Sequence, residues 1–180
     1  FHAGGEANVK MAHEDFLAIT REAPDYAPGH AWLALSWLGL RDQPESELLP
    51  AAQREVDLAL KLDPNEAVAY LAQGGIHGRH DDNIKAMAAL DRALEINPAM
   101  VEAHLDRQWL LASTGRGAEA VKELETARGI DPLHPDVLRD LAHLQNLQGK
   151  RREAFAVLEQ LRAVNAESAI ETELHLYSDN

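Results

Sequence analysis

The sequence predicts an all-α chain built as an α-solenoid of about five helix-turn-helix units closed by a C-terminal helix. Three observations point there: a 34-residue internal repeat, an apolar set dominated by Ala and Leu with only 5% aromatics, and prolines that keep step with the repeat.

The repeat is read first in the alanines. Ala52, Ala86, Ala120 and Ala154 are each 34 residues apart. Four residues after each stand Val56, Leu90, Leu124 and Leu158, and three further on stand Ala59, Ala93, Ala127 and Leu161. Small, large and small side chains at i, i+4 and i+7 share one helix face and let a neighbouring helix approach closely. Pro64, Pro98 and Pro132 repeat at the same step, with Ala166 at the next place. The residue before each proline is steered away from the helical region, so each proline separates two units. Gly115 and Gly149 mark the turn inside a unit, where a left-handed residue ends the first helix. Asp81 occupies that slot one unit earlier and suits it less well. The series continues upstream through Ala12, Phe16, Ile19 and Pro24, displaced by 40 residues, which places a six-residue insertion between.

These signals predict first helices over 27–40, 67–80, 101–114 and 135–148, and second helices over 8–22, 50–62, 83–96, 117–130 and 151–164. The chain then divides as a partial unit 1–26, a unit 27–66 with an enlarged turn, and units 67–100, 101–134 and 135–168. A last helix over 168–178 follows, with the capping-box pattern Ser168-x-x-Glu171 at its start and Ile170, Leu174 and Tyr177 on one face. That helix is expected to cover the end of the stack. The first unit lacks most of its leading helix, and a start at Phe1 predicts that the chain once continued upstream.

Composition excludes several function classes. Seventeen basic residues against thirty acidic ones give a formal charge of −13, which repels a phosphate backbone or an anionic membrane. No cysteine is present, so disulfides, thiolate metal sites and thiol catalysis are excluded. No apolar run approaches the roughly 18 residues that span a bilayer. Phe1-His2-Ala3-Gly4-Gly5 does not resemble a signal peptide, and the expected location is cytoplasmic.

The spacings resemble the tetratricopeptide repeat family over nearly the whole chain, best in Val101 to His134 with Gly115, Ala120, Leu124, Ala127 and Pro132 in place. The stretch Ala23-Pro24-Asp25-Tyr26-Ala27-Pro28-Gly29-His30-Ala31-Trp32-Leu33-Ala34, with the enlarged turn and Leu62-Asp63-Pro64, resembles arrays appended to bacterial signalling proteins of the adenylate-cyclase and winged-helix types. The resemblance implies a right-handed superhelix serving as a non-enzymatic scaffold that holds a protein or peptide partner on the concave surface of its first helices. It places Ala31, Leu35 and Leu38, then Leu71, Gly75 and Arg79, then Leu105, Trp109 and Ser113, then Arg139, His143 and Asn146 on that surface. Such a groove fits an apolar or mixed segment, with Trp109 either its anchor or stacked between helices. Relatives that grip a C-terminal carboxylate use Lys and Asn at several of these places; only Arg139 and Asn146 are of suitable type here, so that activity is not implied.

Departures from the family pattern fall in the first helices. Leu33-Ala34 and Leu141-Ala142 keep the family's Leu-Ala or Leu-Gly pair, whereas Gln73-Gly74 and Arg107-Gln108 do not, and Arg107 is expected to snorkel or to pair with Asp106 or Asp140. In the insertion Arg41 to Pro50, Leu48 and Leu49 either dock back onto the second helix or extend a binding face.

Two readings compete with the scaffold. One is self-association of open array ends, or contact with an upstream domain of the same chain. The other is a metal site or metal-dependent enzyme at His77 and His80, three residues apart beside Asp81 and Asp82. It lacks the intervening Glu of a zincin and a third ligand fixed by spacing. His104, His134 and His143 form no local triad, no phosphate loop or nucleophile elbow occurs, and no cofactor is implied. Lys150-Arg151-Arg152 reads as a solvated turn.

Overall fold

In the computed structural model, which describes residues 3–178 and side chains over 7–176, ten α-helices follow one another and no strand occurs among the described residues. They are α1 (Ala3–Glu22), α2 (Ala27–Gly39), α3 (Glu45–Leu62), α4 (Ala67–Arg79), α5 (Asn83–Ile96), α6 (Val101–Ser113), α7 (Gly117–Ile130), α8 (Pro135–Leu147), α9 (Arg151–Val164) and α10 (Ala166–Ser178). The chain divides into two compact units, Phe1–Pro98 and Ala99–Asn180. In the first, α2 packs on α1, α3 and α4, and α4 packs on α3 and α5. In the second, α8 packs on α7, α9 and α10, while α6 pairs with α7 and α9 with α10.

The repeat positions form the core of both units. Ala52, Ala86, Ala120 and Ala154 are fully buried, as are Val56, Leu124 and Leu158. Each of the large residues contributes about 1.5–3 kcal/mol by burial. The alanines hold the paired helices close enough for that burial. Gly74 makes the point most directly, since a Cβ there would lie 2.9 Å from Leu90 Cγ and Cδ2. At the same repeat place α6 carries the buried Gln108, and α2 and α8 carry the fully buried Ala34 and Ala142.

Turn chemistry explains the spacing of the units. Asp63 and Asp131 accept from the backbone N–H two residues on, Asn65 at 2.9 Å and Leu133 at 3.1 Å, so the Asp-Pro step is a side-chain-closed turn. Inside the units, Gly115 and Gly149 adopt φ of 78° and 75°, and Asp81 adopts 56° despite its side chain. At all three the following N–H returns to the carbonyl five residues back, from Asp82 to His77, Arg116 to Leu111 and Lys150 to Gln145. This is the Schellman closure that a left-handed residue permits.

A second seam interaction is visible only with the pairs in place. His30 Nδ1 lies 2.7 Å from the Glu55 carboxylate, and His104 Nδ1 lies 2.8 Å from that of Glu123. These are equivalent positions two units apart. The intervening and following units place Tyr70 opposite Ala89 and Leu138 opposite Val157. Polar pairs thus alternate with apolar ones at one site, which follows from the cost of burying either partner alone.

The starts of α3 and α10 and the cap and buried face of α10 differ from expectation, and one open alternative at Leu48 and Leu49 is decided. Helix α3 starts at Glu45 rather than Pro50, because Pro44 precedes it and Glu45 and Glu47 favour its N-terminal dipole; most of the insertion is therefore helix. Leu48 and Leu49 are buried, so they dock back onto the core. Helix α10 starts at Ala166, and Asn165 Oδ1, not a Ser168 capping box, accepts from the Ser168 N–H at 3.0 Å. Its buried face is Ala169, Thr172 and Leu176, leaving Ile170 and Leu174 exposed; the side chain of Tyr177 lies outside the described residues, as do Phe1 and His2. The buried face thus lies about one residue, roughly 100°, round the helix from the expected one.

Gly74→Ala is expected to lower stability by about 1–2 kcal/mol in urea unfolding, the overlap with Leu90 exceeding the helix-propensity gain of alanine. Glu55→Val alone is expected to cost about 1–3 kcal/mol, and adding His30→Leu should recover much of that loss in a double-mutant cycle.

Candidate functional site

The predicted contact residues separate into those used for packing and those left available. In the first unit Ala31 and Leu71 are buried, at 0% and 3% exposure. Leu71 therefore belongs to the core and offers no surface to a ligand. Leu35 and Leu38 are half-buried against the cluster of Ala34, Ala52, Val56, Ala72 and Ile76, and Leu38 Cδ1 lies 3.0 Å from where a Cβ on Gly75 would stand. Arg79 is tied down as well. Its guanidinium donates to the Leu38 carbonyl and to Glu45 at 3.3 Å, pinning the end of α2 to the start of α3. Arg79 also lines a cleft of about 470 Å³ with Glu45, Leu49, Gln53, Ile76 and His80. The enlarged turn builds that cleft, since Glu45 and Leu49 belong to the inserted segment.

The second unit leaves Trp109, Ser113 and His143 of its first helices exposed. Trp109 on α6 is 61% exposed, so it is not stacked between helices, and Leu105 beside it is half-buried. Ser113 is exposed and its hydroxyl donates to the Leu110 carbonyl at 2.9 Å. On α8, Arg139 and Asn146 are half-buried and His143 is exposed. Arg139 and His143 come together with Asp140, Glu171, Thr172 and His175 around a cleft of about 310 Å³ between α8 and α10. Glu171, Thr172 and His175 were not legible as site residues, because the terminal helix reads as a cover whose orientation the sequence mis-registers.

Charge is distributed unevenly on these two helices. On α8, Arg139 sits between two acids one turn apart: it pairs with Asp136, and its Nε donates to Asp140 at 2.8 Å. Burial pushes the Asp140 carboxyl up, opposed by Arg139. On α6 the equivalent places hold Glu102, Leu105 and Asp106, so both acids are retained and the arginine is replaced by leucine. Neither Glu102 nor Asp106 makes an ion pair among the described residues. The Asp106 carboxyl is pushed up to about 6, first by loss of hydration and then by Glu102. The residue as a whole remains exposed on the helix surface.

The other sequence candidates are placed plainly. Arg107 pairs with Glu123 at 3.5 Å, not with Asp106 or Asp140, because its helix face turns toward α7. His77 is half-buried and His80 exposed, and no group of three or more His, Asp or Glu side chains is arranged to hold a metal ion among the described residues. Lys150 precedes α9, and the Arg151 guanidinium lies 5.7 Å from the Phe155 ring centroid. No described helix is long and apolar enough to cross a membrane.

Comparison with known proteins agrees with this architecture. Residues 111–172 match the tetratricopeptide repeat family. The fold is that of tetratricopeptide repeat proteins. TTC0263, a thermophilic repeat protein of Thermus thermophilus, superposes with a TM-score of 0.74 at 19% identity, over 96% of this chain and 90% of that one. PilF of Pseudomonas aeruginosa gives 0.65 at 17% identity over 94% and 83%. YrrB, described as a tetratricopeptide repeat protein with an unusual peptide-binding site, gives 0.60 at 16% identity over 93% and 84%. No curated protein matches the sequence.

The Asp106 carboxyl is expected to titrate near pH 6 by carbon-detected NMR, and Glu102→Gln should move it down without restoring an ordinary carboxylate value. A folded-state value above the unfolded one means that the native chain binds the proton more tightly. The contribution of this group to stability therefore falls as pH rises from about 4 to about 6, and Asp106→Asn should flatten that slope.

Proposed function

We propose that this chain is a non-enzymatic scaffold that binds a polypeptide segment through the first-helix surface of its second unit. The single observation behind this reading is Trp109, a large aromatic left 61% exposed on α6 in a helix whose neighbouring positions Gln108, Leu110 and Leu111 are buried. An exposed tryptophan on a rigid helix presents a large contact area at little conformational cost, which is why such residues dominate interface energetics. Arg139 and His143 on α8 supply polar contacts to the same segment. The YrrB likeness supports the reading at the level of the fold.

A second reading is self-association through α1. Phe16 and Ile19 occupy the repeat places of the fully buried Val56 and Ala59, yet Phe16 is only half-buried, Ile19 is 38% exposed and the adjoining Met11 60%. That surface is apolar enough to take a second copy.

Affinity capture from the source cells with wild type, Trp109→Ala and Ile84→Ala tests both readings. Ile84 is 85% exposed on α5, outside the proposed surface. Trp109→Ala should melt like wild type and lose the captured partners by about tenfold or more, while Ile84→Ala retains them. Equal retention by all three proteins would defeat the groove reading. A mass that grows with concentration in sedimentation, unaffected by Trp109→Ala, would favour self-association.

A further inference from the structure

Helices α3, α5, α7 and α9 each bury one face, the set at i, i+4 and i+7, against the first helix of the same pair. Ala52, Val56 and Ala59 on α3 cluster with Ala34 and Ala31 of α2, and Ala120, Leu124 and Ala127 on α7 are fully buried. In these two pairs an acid beside the set holds a histidine of the covering helix, Glu55 with His30 at 2.7 Å and Glu123 with His104 at 2.8 Å. On α1 the same places hold Ala12, Asp15, Phe16 and Ile19, 40 residues before their α3 counterparts. Ala12 and Phe16 are only half-buried, and Asp15 and Ile19 are exposed. The packed side of α1 is a different one, where His13 meets Ser36 and Trp37 of α2. We infer that the open face of α1 seats an amphipathic helix of a partner polypeptide, which places a histidine or another cationic side chain on Asp15 and a small residue on Ala12. This inference is independent of the Trp109 surface and gives α1 a different occupant from the second reading above.

Three observations carry it. First, the chain shows four times what covers a face of this pattern. Each time it is a helix of 13 residues, with Ala34, Gly74, Gln108 or Ala142 at the crossing, three of the four small. The α1 face continues that series of interfaces one place upstream. Second, the seat is already formed. Phe16 stacks on Trp32 with ring centroids 6.0 Å apart and planes 12° from parallel, so the large residue of the set is braced on one side and open on the other. Exposed Met11 and Ile19 extend the strip to either end, which makes an apolar surface of helix length. Third, charge selects the occupant. Asp15 makes no hydrogen bond or ion pair among the described residues, and the exposed charges of α1 are Glu14, Asp15 and Glu22 against Arg21 alone. A carboxylate covered by a helix needs a partner, because burying it alone is costly, and the covering helices over Glu55 and Glu123 supply one. A second copy would bring the same acids and a charge of −13 to this face, whereas a basic helix meets opposite charge.

The test titrates two synthetic stapled helices of about 15 residues into the whole chain near pH 6, where imidazole is largely cationic. Both carry Leu at the seventh and eleventh helical positions, Ala at the eighth and Lys on the outer face. They differ only at the fourth position, His in one and Leu in the other. NMR of the Ala12 and Ile19 methyls and the Asp15 carboxyl is the readout, with sedimentation of the chain alone alongside. The histidine helix should give saturable shifts at all three groups and bind about fivefold more tightly than the leucine helix. Asp15→Leu, which copies the apolar pair of Leu138 and Val157, should reverse that order. Ile19→Glu, at an exposed place, should melt like wild type and bind neither helix. Equal binding of the two helices by wild type, or a histidine preference that survives Asp15→Leu, overturns the cationic partner. Absence of shifts at Ala12 and Ile19 at millimolar concentration of either helix overturns the seat. Self-association of the chain that Ile19→Glu abolishes would assign the face to a second copy and overturn the inference as well. None of these results bears on the Trp109 surface.

Discussion

Close approach of the two helices in each pair is the constraint on which the rest depends. It is enforced by a residue with little or no side chain where the helices cross: Ala52, Ala86, Ala120 and Ala154 on one side, and Ala34, Gly74 and Ala142 on the other, all buried. With the backbones this near, one large residue per pair suffices to fill the seam, and Val56, Leu90, Leu124 and Leu158 are each 1% exposed or less. Interiors at crystal-like density leave no slack for an added methyl group, which is why Gly74 faces Leu90 without a Cβ. The chain thereby reaches a packed interior with few aromatics, and leaves Trp109 free of the core.

Polar seams show how that constraint is satisfied when the side chains are not apolar. His30 bonds Glu55 through Nδ1 and approaches the Pro24 carbonyl through Nε2 at 2.9 Å. The carboxylate and the carbonyl hold the ring from both sides. His13 differs. The Ser36 hydroxyl donates to the Leu33 carbonyl at 2.7 Å and so accepts from His13 Nδ1 at 2.8 Å, which fixes the tautomer of a ring whose pKa burial lowers. His13, His30 and His104 are thus part of the packing, with Ser or Glu partners.

The enlarged turn shows the same economy. Six extra residues between the first two repeat sets lengthen α3 toward its N-terminus, bury Leu48 and Leu49, and bring Glu45 to Arg79. A surface ion pair of this kind contributes little alone. Its partner bond from Arg79 to the Leu38 carbonyl satisfies a helix-end acceptor, so the arginine serves the fold where the first-helix pattern suggests a ligand contact.

The helices themselves were legible because their signals are local: a face at i, i+4 and i+7, a left-handed residue at Asp81, Gly115 and Gly149, and an Asp-Pro turn between units. The periodic positions from Ala52 onward are buried, since a residue at a fixed place in a repeated pair meets the same neighbour each time, whereas Phe16 and Ile19 of the upstream set are only partly covered. Exposure of the first-helix side chains was not legible in that way. Leu71 and Trp109 occupy the same kind of surface in the pattern, yet one is 3% exposed and the other 61%, because adjacent helices cover the first and leave the second open. The sequence alone determined the repeat, the fold class and the seam. Only the tertiary structure decided the partner of Arg107, the buried face of α10 and the two unpaired acids on α6, because each depends on which neighbouring helix a side chain meets.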